Sequence, residues 1–120
     1  MADRADKDQS LLLDMLLAAR DACSFVAGMD KAAFLKSALH QNAVIRCLEV
    51  IGEAAGKVSP GFQAANPAIP WREITGMRHR LIHNYAEVDL ELVWSVVSEK
   101  LEPLIAALAP LIPPEGAPDA

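Results

Sequence analysis

Apolar residues recur at three- and four-residue spacing in three long stretches of this chain, and no stretch alternates with period two over a useful length. That spacing puts one apolar face on a helix and leaves no candidate sheet. The expected fold is therefore all-α: a small bundle of four to five helices around one apolar seam. Leu12, Met15, Leu16, Ala19, Cys23 and Val26 form the face of a first helix expected over 10–27. Gly28 suits a left-handed cap, and Asp30 can cap a short helical turn over 31–36. A longer helix is expected over 37–58, with Val44, Cys47, Leu48, Ile51, Ala54, Ala55 and Val58 on its apolar face. Gly52 and Gly56 sit four apart on it; small residues there allow close helix approach, at about 1 kcal/mol of helix propensity each.

Pro60, Gly61, Pro67 and Pro70 exclude a continuous helix over 59–70, leaving either a moving loop or a fixed strap. Pro70 suits the first turn of a helix running from 71 into the low eighties. Asp89 reads as the N-cap of a last helix over 90–108, whose seam is Leu90, Val93, Trp94, Val97, Leu101, Leu104 and Leu108. Pro103 lies inside that helix and predicts a kink or an early end. Residues 1–109 read as one helical domain, and 110–120, with four prolines, as a flexible tail.

A chain of 120 residues that is 52% hydrophobic and 22% charged can fill one core, which excludes general disorder. The net charge of −5 argues against a broad electrostatic clamp for nucleic acid. The sign-alternating start, Asp3-Arg4-Ala5-Asp6-Lys7-Asp8, fits no secretory signal, and the longest apolar run, over 11–19, is broken by Asp14. Cys23 and Cys47 form no CxxC pair and sit in apolar helical patterns. Together these features predict a cytoplasmic protein without a membrane segment, its two thiols reduced and buried.

Against that background one window is inverted in charge. Arg72, Arg78, Arg80, His79 and His83 fall between Trp71 and Tyr85, the sole tyrosine; the window carries +2 and the remainder −7. It is the best candidate for contact with an anion such as phosphate. At about 100° per residue, Arg78 and His83 lie about 140° apart around a regular helix. They converge on one phosphate only if the helix opens near His83 or a second subunit supplies a matching set. Arginine can hold a phosphate through two parallel hydrogen bonds, and histidine can move a proton near neutral pH. Together they suit attack of an RNA 2′-hydroxyl on its neighbouring phosphate, although spacing alone does not select this over simple anion binding.

Plainer readings stand beside these. Arg78 could form an ion pair with an acid on a neighbouring helix, His83 could be structural, and Tyr85 a partly buried aromatic. Arg72 and Arg80 read as supporting charge or plain ion pairs. His79, His83 and Glu87 fit an i, i+4, i+8 stripe, but no fourth ligand is evident, so no metal is expected. Glu49 and Glu53 read as a solvated face or as acids orienting the arginines. Trp71 and Trp94 read as core or interface anchors.

The run Arg78-His79-Arg80-Leu81-Ile82-His83-Asn84-Tyr85 resembles the Arg-x4-His-x-Tyr signature of the HEPN superfamily, and in particular of HepT-like ribonucleases, the toxin halves of HepT/MntA modules. Three further blocks resemble that family in order: 42–55 its long helix, 70–77 the lead into its motif, and 88–94 the start of its last helix. The resemblance covers about residues 10–108. It implies a HEPN-like homodimer with two motif copies facing one cleft, and cleavage of RNA without metal or cofactor. It further implies a minimal, MntA-like nucleotidyltransferase antitoxin that transfers AMP onto the motif tyrosine, here Tyr85. Arg78 and His83 then fall on the catalytic positions, with His79, Arg80 and Arg72 as supporting RNA contacts; His79 stands where the superfamily often has asparagine. The alternative is a non-catalytic nucleotide- or phosphate-binding subunit of a nucleotidyltransferase pair.

Overall fold

The computed structural model describes residues 4–83 and 88–113, with side chains for 6–81 and 88–113. Among the described residues there are helices and turns and no strand. In chain order they are α1 (Arg4–Phe25), α2 (Lys31–Leu35), α3 (Ala38–Lys57), α4 (Pro60–Ala65), α5 (Trp71–His83), α6 (Leu90–Ser95), a π-helical turn (Val96–Lys100), α7 (Leu101–Leu108) and a 3₁₀ turn (Ala109–Leu111). The central element is α3, which packs against α1 and α5, while α7 packs against α1.

Helix α1 begins well before residue 10, where the apolar pattern starts. Its charged first turns are tied down by long-range bonds that periodicity does not reveal. Asp8 is buried and accepts from the Ser59 backbone N–H at 2.9 Å and the Ser59 hydroxyl at 2.6 Å. Gln9 Nε2 donates to the Leu111 carbonyl at 3.1 Å. The helix ends at Phe25, and Gly28 takes φ 79°, the left-handed conformation that glycine adopts without steric penalty. Asp30 Oδ1 then accepts from Ala33 N–H at 2.8 Å and starts α2. Ser37 caps α3, and every residue of the apolar face expected for that helix is buried.

The 59–70 segment is an ordered strap built around a short helix rather than an irregular loop. Ser59 caps the short α4, with Pro60 in its first turn where the missing N–H is harmless. Gln63 Nε2 bonds back to the Val58 and Ala55 carbonyls, and Ile69 is buried. Pro70 stands just before α5 and not inside it; its carbonyl accepts from Ile74 N–H at 3.0 Å.

The last helix is capped by Asp89, whose Oδ1 accepts from Glu91 and Leu92 N–H, both at 3.1 Å. Pro103 neither ends it nor breaks it off. Proline removes one N–H and crowds the carbonyl four residues back, and here the preceding turn widens into a π turn in which Leu101 N–H reaches Val96 O. The extra residue in that turn buries Val96 beside Val97. Val93, Leu101, Leu104 and Leu108 are buried as expected, while Leu90 and Trp94 are half-buried, Trp94 lying 5.3 Å from the Phe34 ring.

Cys47 is buried, but Cys23 is only half-buried, because Ala18 and Ala22 complete the α1 face in its place. Both are free thiols. Burial pushes both thiols above their ordinary range, with Glu102 adding to the effect at Cys23 and Asp21 at Cys47. Among the described residues, no helix is long and apolar enough to cross a membrane.

Candidate functional site

Helix α5 carries the charge-inverted window, and its start is tied to the strap by side-chain contacts. Trp71 is buried, its Nε1–H donates to the Asn66 carbonyl at 3.0 Å, and its ring meets Phe62 edge-on at 6.3 Å. The Trp71 side chain thus anchors α5 to the strap. Thr75 Oγ1 bonds back to the Trp71 carbonyl at 3.1 Å, and Leu81 buries the far end of the helix.

Within this frame the three arginines diverge. Arg78 is half-buried, and its aliphatic stem crosses Gly52 of α3. Its Nε is buried and meets no hydrogen-bond partner. Among the described residues no carboxylate forms an ion pair with it, so the ion-pair reading of Arg78 finds no acid there. Arg80 is exposed on the other side of α5, where with Glu73 and Lys100 it borders a pocket of about 390 Å³ floored by residues such as Ile51, Met77 and Leu104. Arg72 is exposed beside α4, in a shallow groove with Pro60, Gln63 and Pro67. His79 is exposed on α5.

His83 closes α5; its side chain, and the whole of Tyr85 and Glu87, lie outside the described residues. Helix α5 remains α-helical through His83. The opening that would swing Arg78 and His83 together thus does not occur within it, and their positions stay about 140° apart in azimuth. The His79, His83 and Glu87 stripe falls partly outside the described residues, and among those described no three His, Cys, Asp or Glu residues gather to hold a metal ion. Among the described residues Glu49 and Glu53 pair along α3, with Arg46 at 3.8 Å and Lys57 at 3.4 Å, and with no arginine of the motif.

Chemically, the face offers one half-buried guanidinium with a pinned stem, flanked by exposed cations that could attract a polyanion without converging on one atom. Two contributors escaped the sequence pattern. Gly52 stood out only as one of a pair of small residues, and its contact with Arg78 depends on how α5 crosses α3. The Asp8–Ser59 bond links residues 51 apart in sequence and leaves no local signal.

A model of the family described as "Ribonuclease HepT-like" matches residues 15–111. A Methanocaldococcus jannaschii protein named "Putative RNase" is 37% identical over 91 residues, which span 76% of this chain and 84% of the relative. The "Probable ribonuclease HepT" of Thermococcus cleftensis is 45% identical over 71 residues, 59% of this chain and 64% of that protein. A bacterial "Putative RNase", from Caldanaerobacter subterraneus subsp. tengcongensis, is 34% identical over 79 residues, 66% of this chain and 70% of its own length. No solved structure matches the chain.

Proposed function

This chain belongs to the HepT-like ribonuclease family, and from that premise we propose that it is a metal-independent endoribonuclease whose working site is the run from Arg78 to Tyr85. The observation that carries the reading is Arg78 itself. A half-buried guanidinium with no carboxylate beside it among the described residues is a charge left for an outside anion to answer.

Arg78 holds the scissile phosphate and stabilises the charge that grows on its oxygens. His83 transfers the proton as the 2′-hydroxyl attacks phosphorus and the 5′-oxygen leaves. The products carry a 2′,3′-cyclic phosphate and a 5′-hydroxyl. The protein acts as a homodimer: with α5 helical through His83, a site completed by a second subunit avoids the azimuthal gap between Arg78 and His83. Arg72, His79 and Arg80 supply further RNA contacts. The protein is the toxin of a toxin–antitoxin pair, and a minimal, MntA-like nucleotidyltransferase silences it by placing AMP on Tyr85. The added negative charge and bulk would stand where the RNA phosphate binds.

The test is RNA cleavage in EDTA by purified wild type and His83→Ala, with intact mass measured on both. Cleavage by wild type alone, leaving cyclic phosphate ends, is expected. Cleavage by His83→Ala at the wild-type rate would overturn the assignment. Absence of cleavage by folded wild type free of AMP would favour the non-catalytic phosphate-binding alternative.

A further inference from the structure

Gly52 and Gly56 lie one turn apart on α3 and both face α5, yet the structure gives them different duties. Neither has positive φ; among the described residues Gly28 is the sole glycine that does. Backbone freedom therefore does not explain either one, and both have low helix propensity, Gly52 in the body of a 20-residue helix and Gly56 in its last turn. Space is the remaining reason, and it separates the pair. A Cβ on Gly56 would meet only Thr75 Cγ2, at 3.7 Å, an ordinary van der Waals contact. A Cβ on Gly52 would overlap Arg78 Cβ and lie 3.1 Å from its Cγ and 3.2 Å from its Cδ.

The identity of the overlapping atom matters. Cγ and Cδ can move by changing rotamer, but Cβ is fixed to the α5 backbone. Relief of that overlap requires α5 to shift on α3, carrying the whole 78–83 run with it. The same groove holds the first carbons of the Arg78 stem, and Nε beyond them is buried. With Nε buried, the donors left to an incoming oxyanion are those of the two terminal NH₂ groups. A stem already immobilised loses less freedom when the fork closes on its ligand.

We propose that Gly52 is a positioning residue for Arg78: the missing side chain forms the groove that sets where the Arg78 guanidinium stands. The inference rests on the reading of Arg78 as the phosphate-holding group. Gly52 itself touches no substrate.

The experiment compares wild type, Gly52→Ala, Gly56→Ala and Arg78→Ala in cleavage of a single RNA substrate in EDTA, with thermal melting of each and KM and kcat measured separately. Misplacing a catalytic group by about 1 Å lowers rate by about 100-fold, and Gly52→Ala is expected to lose that order of kcat while still folded. Gly56→Ala should cleave within about twofold of wild type. A folded Gly52→Ala at wild-type kcat, beside an inactive Arg78→Ala, overturns the positioning role and leaves the function intact. Arg78→Ala at wild-type rate overturns the functional reading itself. A measurement on wild type covers the case in which Gly52→Ala does not fold: ¹⁵N relaxation of the arginine Nε–H groups. Arg78 is expected to be rigid while the exposed Arg72 and Arg80 are mobile; equal mobility of all three overturns the proposal.

Discussion

The two sides of α3 are closed by different means. Toward α1 the space is filled by side chains: Leu12, Met15 and Ala19 are wholly buried in the core. Toward α5 it is closed at Gly52, where the stem of the charged Arg78 side chain lies across the place a Cβ would fill. The first arrangement puts the most apolar surface out of water and supplies stability. The second leaves Arg78 half-buried with its Nε unanswered, which costs stability rather than adding it. On the proposed reading, stability and chemistry are divided between the two faces of one helix, and substitutions should separate them.

The largest expected effect is on the filled side. Met15→Ala should lower unfolding stability by about 2–5 kcal/mol in urea, through lost burial and the cavity left behind. Its cleavage per folded molecule should stay at the wild-type level; a selective loss of activity would break the division. On the other side, Arg78→Ala should reduce cleavage by about 10²–10³-fold. It should move the urea midpoint little, because no ion pair among the described residues is lost with it.

Smaller effects sharpen the boundary. Asp8→Ala removes a buried acceptor from the Ser59 N–H and hydroxyl and should cost about 2–3 kcal/mol of stability. Because Ser59 begins the strap that leads to Trp71, hydrogen exchange should rise in 59–70 before it rises in α3. Asp89→Ala removes the cap of α6 and should cost about 1 kcal/mol, read as a lower melting temperature. The smallest effect concerns the thiols. Their folded-state pKa lies above the unfolded value, so the associated stability is fully present below the ordinary thiol pKa and is lost as pH rises through the raised one. Labelling with a thiolate-specific reagent at pH 7 should be slow at both, and slower at buried Cys47 than at half-buried Cys23.

The same division explains what could be read from the sequence. The filled side was legible almost residue by residue: the α3 face from Val44 to Val58 is buried as its spacing predicts, and Gly28, Asp30 and Asp89 occupy the caps expected of them. These depend on local periodicity and local hydrogen bonding. What spacing did not show lies in tertiary contacts and in one local irregularity. The early start of α1 rests on Asp8 meeting Ser59 and on Gln9 meeting Leu111. The continuation of the last helix past Pro103 rests on a π turn, which residue spacing does not encode. At the candidate site, charge inversion pointed to α5, but not to which arginine would be half-buried. That was settled by the crossing of α5 over Gly52, a tertiary fact. His83 and Tyr85 enter through the motif alone, since the His83 side chain and all of Tyr85 lie outside the described residues.

Whether α5 carries RNA cleavage by its own side chains is read most directly from the cleavage rate in EDTA of wild type, Arg78→Ala and His83→Ala, each shown to be folded by its urea transition. Wild type is expected to give cyclic phosphate products, and each variant a rate lower by at least about 10²-fold with stability close to wild type. Two folded variants that cleave as fast as wild type would contradict that role for α5.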